Sequence, residues 1–279
     1  MRTINANLIT KAVKELSIKA NLDLRKDMLS ALRNARRKER GVKARRVLDI
    51  IIYNALISKR KKVPICQDTG MVVVYLEIGQ ALMIKGDICK AVEEGVLHAY
   101  RDGYFRKSIV KDPLIRKNTG TNLPPVINMK VVPGNRLKIT VTVKGFGCEN
   151  ASRVKMFEPM ASDSAIVDFT VGIVKEVGSK ACPPMYIGVG IGGTVDKAVS
   201  LSKEAVLRPI NSHSRKPHIA KLEKKILNKA NKLRIGPMGV GGNTTVLGVS
   251  ILTYPTHIAG LPLAVNISCH ALRNARKVI

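Results

Sequence analysis

The chain has 279 residues, 45% of them hydrophobic, 4% aromatic and none tryptophan, and its formal net charge is +28. This apolar content excludes an intrinsically disordered chain and is enough for one large or two small domains with an aliphatic core. No run of about 18 apolar residues is present, and the first residues lack the apolar segment of a signal peptide, so we expect a cytoplasmic protein without membrane contacts.

The excess of basic residues has three possible explanations. A nucleic-acid-binding protein would concentrate the charge on one face and add aromatic residues or a recognisable module, and neither is visible here. A basic surface could instead steer an anionic substrate or dock an acidic partner. The third explanation is a lysine-rich proteome of thermophilic type, although glutamate is not correspondingly abundant. The second and third explanations are compatible.

The predicted elements begin with a helical lead-in over residues 1–60. Apolar residues recur at helical spacing in its first two segments, and the third segment is apolar on most sides from Val47 onward, which predicts burial. The three predicted helices cover residues 7–20, 23–37 and 42–59.

From residue 71 onward, strand-like and helical patterns alternate. They predict a mixed α/β (α+β) fold, a mixed sheet with flanking helices over residues 61–279, in one domain with the lead-in over residues 1–279. The predicted strands cover residues 71–78, 81–84, 126–132, 137–143, 185–191 and 244–252. The predicted helices cover residues 86–101, 159–177, 195–207 and 218–233. A Pro-Gly-Asn turn at residues 133–135 predicts a β-hairpin between the third and fourth strands.

Five cysteines give the first chemical signal. An odd count argues against a disulfide framework, and the absence of a Cys-x-x-Cys pair argues against a zinc ribbon or finger. Cys89 falls among the core residues of a predicted helix, which predicts a small buried hydrophobe. Cys66, Cys182 and Cys269 each lie in a turn or at the end of an element, beside polar residues, proline or glycine.

Three thiolates that are far apart in the sequence suggest one metal site assembled by the fold. Thiolates suit zinc or an iron–sulfur cluster. A [4Fe-4S] cluster normally takes four cysteine ligands, so three would leave one iron available to a substrate as a Lewis acid. This combination predicts hydration or dehydration chemistry, and structural or unrelated thiols are the alternative.

Longer motifs surround these cysteines. They are Cys66-Gln67-Asp68-Thr69-Gly70, Asn118-Thr119-Gly120-Thr121-Asn122-Leu123-Pro124, Ala181-Cys182-Pro183-Pro184, Ile191-Gly192-Gly193-Thr194 and Ser268-Cys269. In this order and spacing, the motifs resemble the alpha subunit of the class I fumarate hydratase and L-tartrate dehydratase family. That subunit is equivalent to the N-terminal domain of the single-chain enzymes. The resemblance covers nearly the whole chain.

The resemblance implies reversible hydration of fumarate to (S)-malate, with dehydration of L-tartrate to oxaloacetate as the alternative. It also implies a [4Fe-4S] cluster held by Cys66, Cys182 and Cys269, whose remaining iron acts as the Lewis acid. Asp68 matches the acid that protonates the substrate hydroxyl, with His257 beside it.

The same resemblance implies substrate-binding residues. Gln67 and Arg106 match positions that bind a substrate carboxylate, for which arginine offers bidentate contact. Gly145 and Gly147 match a glycine turn that contacts substrate. A buried core role for His257 and an ordinary surface role for Arg106 are the structural alternatives.

The chain departs from the family at this glycine turn. The family usually has Lys-Gly-Gly-Gly-Ser, whereas this chain has Lys-Gly-Phe-Gly-Cys at residues 144–148. Phe146 restricts backbone that glycine would leave free. Cys148 adds a fourth thiol, and we expect it not to be a cluster ligand, because a fourth thiolate would close the iron that the chemistry needs. These departures affect which substrate is expected more than which type of reaction is expected.

The resemblance also implies a partner chain. In this family the general base and further substrate-binding cations come from a beta subunit. We therefore expect an obligate beta subunit, a small dicarboxylate substrate and a dimer of heterodimers. The alternatives from other classes are a nucleic-acid-binding protein with salt-dependent affinity and a structural zinc protein, and both predict a colourless protein.

Overall fold

The computed structural model describes residues 2–279, which form two compact units. The first unit consists of the residues up to Arg25, Ala55–Phe146 and Arg273–Ile279, and the second consists of Lys26–Asn54 and Gly147–Leu272. The single domain expected over residues 1–279 stays a prediction. Within residues 2–279, no helix is both long enough and apolar enough to cross a membrane.

The helices and strands alternate along most of the chain, so the predicted mixed α/β fold is confirmed. In chain order they are β1 (Arg2–Asn5), α1 (Asn7–Leu22), α2 (Lys26–Lys38), α3 (Val42–Lys61), β2 (Met71–Gly79), β3 (Leu82–Lys85), α4 (Ile88–Asp102), β4 (Val126–Val132), β5 (Leu137–Lys144), α5 (Phe146–Glu149), β6 (Arg153–Phe157), α6 (Asp163–Val177), β7 (Met185–Ile191), α7 (Val195–Ala205), α8 (Pro217–Asn231), β8 (Val246–Thr253), β9 (Leu261–Ser268) and β10 (Arg273–Val278).

The first unit is built on a four-stranded mixed sheet in the order β10-β5-β2-β4. β2 pairs antiparallel with β5 and parallel with β4, and β10 pairs antiparallel with β5. Alternate residues of β2, Val72, Val74 and Leu76, are fully or almost fully buried and share one core with β5, α1 and α4. This period of two follows from the pleat of a strand with one buried face.

The second unit contains a four-stranded sheet in the order β6-β9-β7-β8. Every residue of β7 is buried, because helices cover both of its faces. Ile187 and Val189 share a core with α6 and α8. Gly190 lies under α7, where a methyl group would come within 2.0 Å of the Ala198 carbonyl oxygen. A continuous apolar run with glycine at the helix contact is typical of such a strand.

Two sequence-based expectations are wrong. β4 and β5 do not form a hairpin, because β2 lies between them and the connecting turn crosses its end, where the Gly79 N–H donates to the Arg136 carbonyl at 2.9 Å. Cys89 is exposed on α4 and is not a buried hydrophobe. The predicted helical lead-in is confirmed by α1, α2 and α3, and its first residues form β1, which pairs in parallel with β3.

Candidate functional site

The predicted site residues are divided between the two units. Cys66, Gln67, Asp68, Arg106 and Gly145 belong to the first unit, and Gly147, Cys182, His257 and Cys269 belong to the second.

The turn that follows α3 carries the predicted acid, Asp68. Asp68 is half-buried, and its Oδ1 accepts the N–H of Gly70 at 2.9 Å, the short-range bond by which aspartate stabilises turns. Its Oδ2 accepts the N–H of Phe146, also at 2.9 Å. Because both carboxylate oxygens accept a backbone N–H, the orientation of the side chain is fixed in the folded unit.

Gly145 lies against this carboxylate. A Cβ atom at Gly145 would lie 2.7 Å from Asp68 Oδ2, closer than real Cβ contacts allow, and 3.1 Å from its Cγ, a tight contact. The structure therefore brings together two of the predicted site residues. Only glycine lets the backbone of residues 145–146 approach the carboxylate this closely.

Gln67 and Arg106 form a second pair beside the turn. Arg106 Nη1 donates to Gln67 Oε1 at 2.8 Å, and both side chains are exposed. The carbonyl of Arg106 accepts the hydroxyl of the buried Thr69 at 2.6 Å, which ties the arginine segment to the turn. An exposed guanidinium and an amide on neighbouring segments can both donate to a carboxylate.

Sequence reasoning missed the buried residues that hold this turn. The Tyr100 hydroxyl donates to the carbonyls of Thr69 and Gly70 at 2.5 and 3.2 Å, and Asn122 Nδ2 donates to the Gly70 carbonyl at 3.2 Å. Burial raises the pKa of Tyr100 well above its ordinary value, so the hydroxyl remains a donor. Arg273 Nη1 donates to the Asp68 carbonyl at 2.7 Å.

Two of these residues gave a weak signal in the sequence. Asn122 lies within one of the family motifs, and Tyr100 is a polar aromatic residue on the apolar face of a predicted helix. Arg273 is one of 48 Lys and Arg residues, and nothing in its spacing distinguishes it from the others.

In the second unit, the two predicted cluster ligands lie on adjoining segments. Cys182 is half-buried, directly follows the 3-10 turn Gly178–Ala181 and has left-handed backbone angles of φ 49° and ψ 63°. Cys269 is half-buried at the end of β9. The next residue, His270, places Nδ1 3.0 Å from the Cys182 carbonyl oxygen. The neutral tautomer with hydrogen on Nδ1 would donate to that oxygen and hold the two cysteine segments together.

The glycine-rich loop at residues 236–243 supports the Cys182 turn. The Met238 N–H donates to the Pro183 carbonyl at 2.8 Å, one residue after the cysteine. Cys148 lies on the same side of the unit, because its Sγ is 3.7 Å from the Ala181 carbonyl oxygen, and its side chain is buried. The non-ligand role expected for Cys148 stays a prediction.

His257 lies in an exposed segment between β8 and β9. Its Nδ1 accepts the N–H of Ala259 at 3.2 Å, and its carbonyl accepts the N–H of Gly260 at the same distance. The alternative of a buried core histidine is therefore wrong. Gly147 is also exposed, and a Cβ there would meet only the Lys180 carbonyl oxygen, at 3.9 Å.

The cysteines carry no disulfide in the part of the chain that the structure describes. Across residues 2–279, no three His, Cys, Asp or Glu side chains are grouped as the ligands of a single metal ion would be.

Comparison with known proteins gives consistent matches over most of the chain. The sequence model of a family described as fumarate hydratase (Fumerase) matches residues 10–278. A protein of Methanocaldococcus jannaschii, provisionally named L(+)-tartrate dehydratase subunit alpha, is 39% identical over 279 residues, covering 97% of both chains. The L(+)-tartrate dehydratase alpha subunits of Escherichia coli and Shigella sonnei are each 31% identical, covering 82% of this chain and 78% of their own.

Proposed function

Because the chain belongs to the fumarate hydratase (Fumerase) family, we propose that it is the alpha subunit of a hydro-lyase acting on a small dicarboxylate. The resemblance found in the sequence motifs is thereby confirmed at the level of the family. The observation that carries the proposal is the Asp68 carboxylate, held by two backbone N–H groups against Gly145, at the positions that match the family's acid and its glycine turn.

We propose reversible hydration of fumarate to (S)-malate as the reaction. In the dehydration direction, the C–O bond of the hydroxyl carbon breaks, the neighbouring carbon loses a proton, a C=C bond forms and water leaves. L-tartrate dehydration to oxaloacetate is the second candidate, and the names of the relatives from M. jannaschii, E. coli and S. sonnei favour it. Both reactions need an acid for the departing hydroxyl and a base for the carbon-bound proton.

A [4Fe-4S] cluster held by Cys66, Cys182 and Cys269 is part of this proposal. The donor set fits such a group, because these are three half-buried thiols without disulfides, each at an element end or in a turn. Each thiolate of a cluster binds a different iron atom, so the three need not converge on one point as ligands of a single ion do. When bound, the cluster would supply Lewis-acid assistance to the departing hydroxyl.

The side chains of this chain would perform the remaining steps as follows. Asp68 would hold the proton that the departing hydroxyl takes up, in an orientation set by the Gly70 and Phe146 amides. Gln67 and Arg106 would bind a substrate carboxylate, since their polar ends lie 2.8 Å apart on the exposed side of the turn. His257 is proposed to assist Asp68, and Gly145 and Gly147 to contact substrate through the backbone.

The proposal includes a beta subunit, because the relatives are named as alpha subunits. We propose that this partner carries the general base and that the complex is a dimer of heterodimers. A cytoplasmic location is also proposed, since a reducing compartment keeps such thiols free of disulfides.

The test is to purify the chain anaerobically, alone and together with its beta subunit, and to assay both reactions. We expect fumarate hydration by the complex and little or no turnover by the single chain. Preference for L-tartrate would favour the second candidate. Failure of the iron-loaded complex to turn over either dicarboxylate would refute the hydro-lyase proposal, and full activity of the single chain would refute the partner requirement.

Replacing Gly145 with alanine should lower kcat about tenfold or more. The added methyl group would displace the Asp68 carboxylate from the Phe146 N–H, a charge-assisted hydrogen bond worth about 1.5–3 kcal/mol. Gly172→Ala is the control, because a Cβ there meets no atom within 4 Å and alanine favours the surrounding helix. Steady-state kinetics of the three complexes check the prediction, and equal kcat values would contradict it.

A further inference from the structure

We propose that Arg273 is a positioning residue, whose buried guanidinium holds the backbone of the turn that carries Asp68. Neither the family motifs nor the predicted site includes this residue. The catalytic consequence of the inference rests on the proposed function, whereas its structural consequence does not.

Arg273 is the first residue of β10 and is only 3% exposed. Its Nη1 donates to the Asp68 carbonyl at 2.7 Å and to Asn21 Oδ1 at 3.3 Å, while its Nε is buried without a hydrogen-bond partner in the described part of the chain. Burying a guanidinium is costly unless its donors are used. The Asp68 carbonyl is the nearer of the two acceptors of the guanidinium. The hydrogen bond to it is therefore a main offset to the free-energy cost of burying Arg273.

The other backbone groups of the turn are held by different residues. The Ile65 N–H donates to the Asn21 carbonyl at 2.9 Å, and the Tyr100 hydroxyl accounts for the carbonyls of Thr69 and Gly70. Asn21 joins this set to Arg273 through its side chain. Among these contacts, the one from Arg273 holds the main chain of the residue whose carboxylate is proposed to act.

The carboxylate is linked to the same guanidinium by close packing around Gly145. A Cβ at Gly145 would lie 2.7 Å from Asp68 Oδ2 and 3.5 Å from Arg273 Nη2, so both groups border the same glycine. Without Arg273 the Asp68 carbonyl loses its donor, and movement of this peptide carries the carboxylate away from the Gly70 and Phe146 amides.

Three variants distinguish a positioning role of Arg273 from an effect of its charge and from a general effect on folding. Arg273→Met removes the donors and keeps much of the apolar stem. Arg273→Lys keeps the charge but lacks the planar fork that reaches two acceptors. Arg276→Met is the matched control, because Arg276 is an exposed arginine on the same strand.

The first readout is amide hydrogen exchange of the purified chain by NMR, which requires no activity. For Arg273→Met we expect exchange at the Gly70 and Phe146 amides to accelerate by about tenfold or more, as the loss of one hydrogen bond to a charged group implies. Arg273→Lys should give intermediate rates, and amides in the interior of β7 should be unchanged. If Arg273→Met does not fold, the exchange rates at Gly70 and Phe146 in Arg273→Lys decide the question.

The second readout is the kinetics of the complex with its beta subunit. Misplacement of an acid lowers kcat more than it weakens substrate binding. We therefore expect kcat to fall about 10- to 100-fold in Arg273→Met, while KM changes less than about threefold. Arg273→Lys should recover part of the lost kcat. Arg276→Met should match the wild type.

The inference is overturned if exchange at Gly70 and Phe146 matches the wild type in both Arg273 variants. Acceleration spread equally over all amides would also overturn it, because it would show a general loss of stability. An inactive wild-type complex would refute the proposed function alone, since the exchange measurement would still decide the role of Arg273.

Discussion

Asp68→Asn is expected to lower kcat of the assembled complex by about 100- to 10,000-fold, the range associated with removing a general acid. Asparagine has nearly the same shape, but its amide N–H groups are not acidic enough to protonate a departing hydroxyl. It also offers one oxygen where the Gly70 and Phe146 amides now use two, so one N–H would face an NH₂ group. The fall in kcat should therefore exceed that of Gly145→Ala, which displaces the carboxylate but does not remove it.

The control for this substitution is Asp112→Asn. Asp112 also accepts two backbone N–H groups, from Leu114 and Ile115 at 2.8 Å each, which lower the pKa of its carboxyl. It lies in an exposed loop to which no site role is assigned. We expect the control complex to retain wild-type kcat and both variants to retain wild-type iron content. An Asp68→Asn complex with more than about a tenth of wild-type kcat would contradict the assigned role.

Gly70→Ala is expected to destabilise the chain by about 3 kcal/mol or more, the range of substitutions that combine backbone strain with a core clash. Gly70 has a φ of 64°, which alanine adopts at a cost of about 1 kcal/mol. A Cβ there would also lie 2.4 Å from the carbonyl oxygen of Lys144 and 2.6 Å from its carbon. Neither atom can move without shifting the end of β5.

Gly120→Ala separates the two effects. Gly120 has a similar φ of 75°, but its Cβ would meet no atom within 4 Å. We expect a loss of about 1 kcal/mol from backbone strain alone. Denaturant unfolding of both variants measures the difference, and equal free energies of unfolding would show that the contact with Lys144 does not limit this position.

Elements with a strong local pattern could be predicted from the sequence. β7 was predicted with its observed bounds, because its apolar run lies between proline and glycine and is buried on both faces. The chemistry of the turn at residues 64–70 was also predictable, since proline, aspartate and glycine determine it locally. The structure adds that Asp68 and Gly145, far apart in the sequence, meet there.

Features that depend on distant pairing could not be predicted. β4 and β5 resemble a hairpin locally, but insertion of β2 between them is decided by tertiary packing. β10 has the sequence Arg-Asn-Ala-Arg-Lys-Val and was missed, because pairing with β5 outweighs its weak apolar pattern. The burial of Arg273 follows from that pairing and was invisible for the same reason.

We propose that three cysteines of this chain, Cys66, Cys182 and Cys269, hold an iron–sulfur cluster. The decisive measurement is iron and sulfide analysis, with a visible spectrum, of the anaerobically purified chain. Cys182→Ala is the test variant, and Cys89→Ala is the control because Cys89 is exposed on α4. We predict a brown wild type and control with about four irons per chain and loss of colour in Cys182→Ala. A colourless wild type without iron, even after anaerobic reconstitution, would contradict the cluster and the hydro-lyase function built on it.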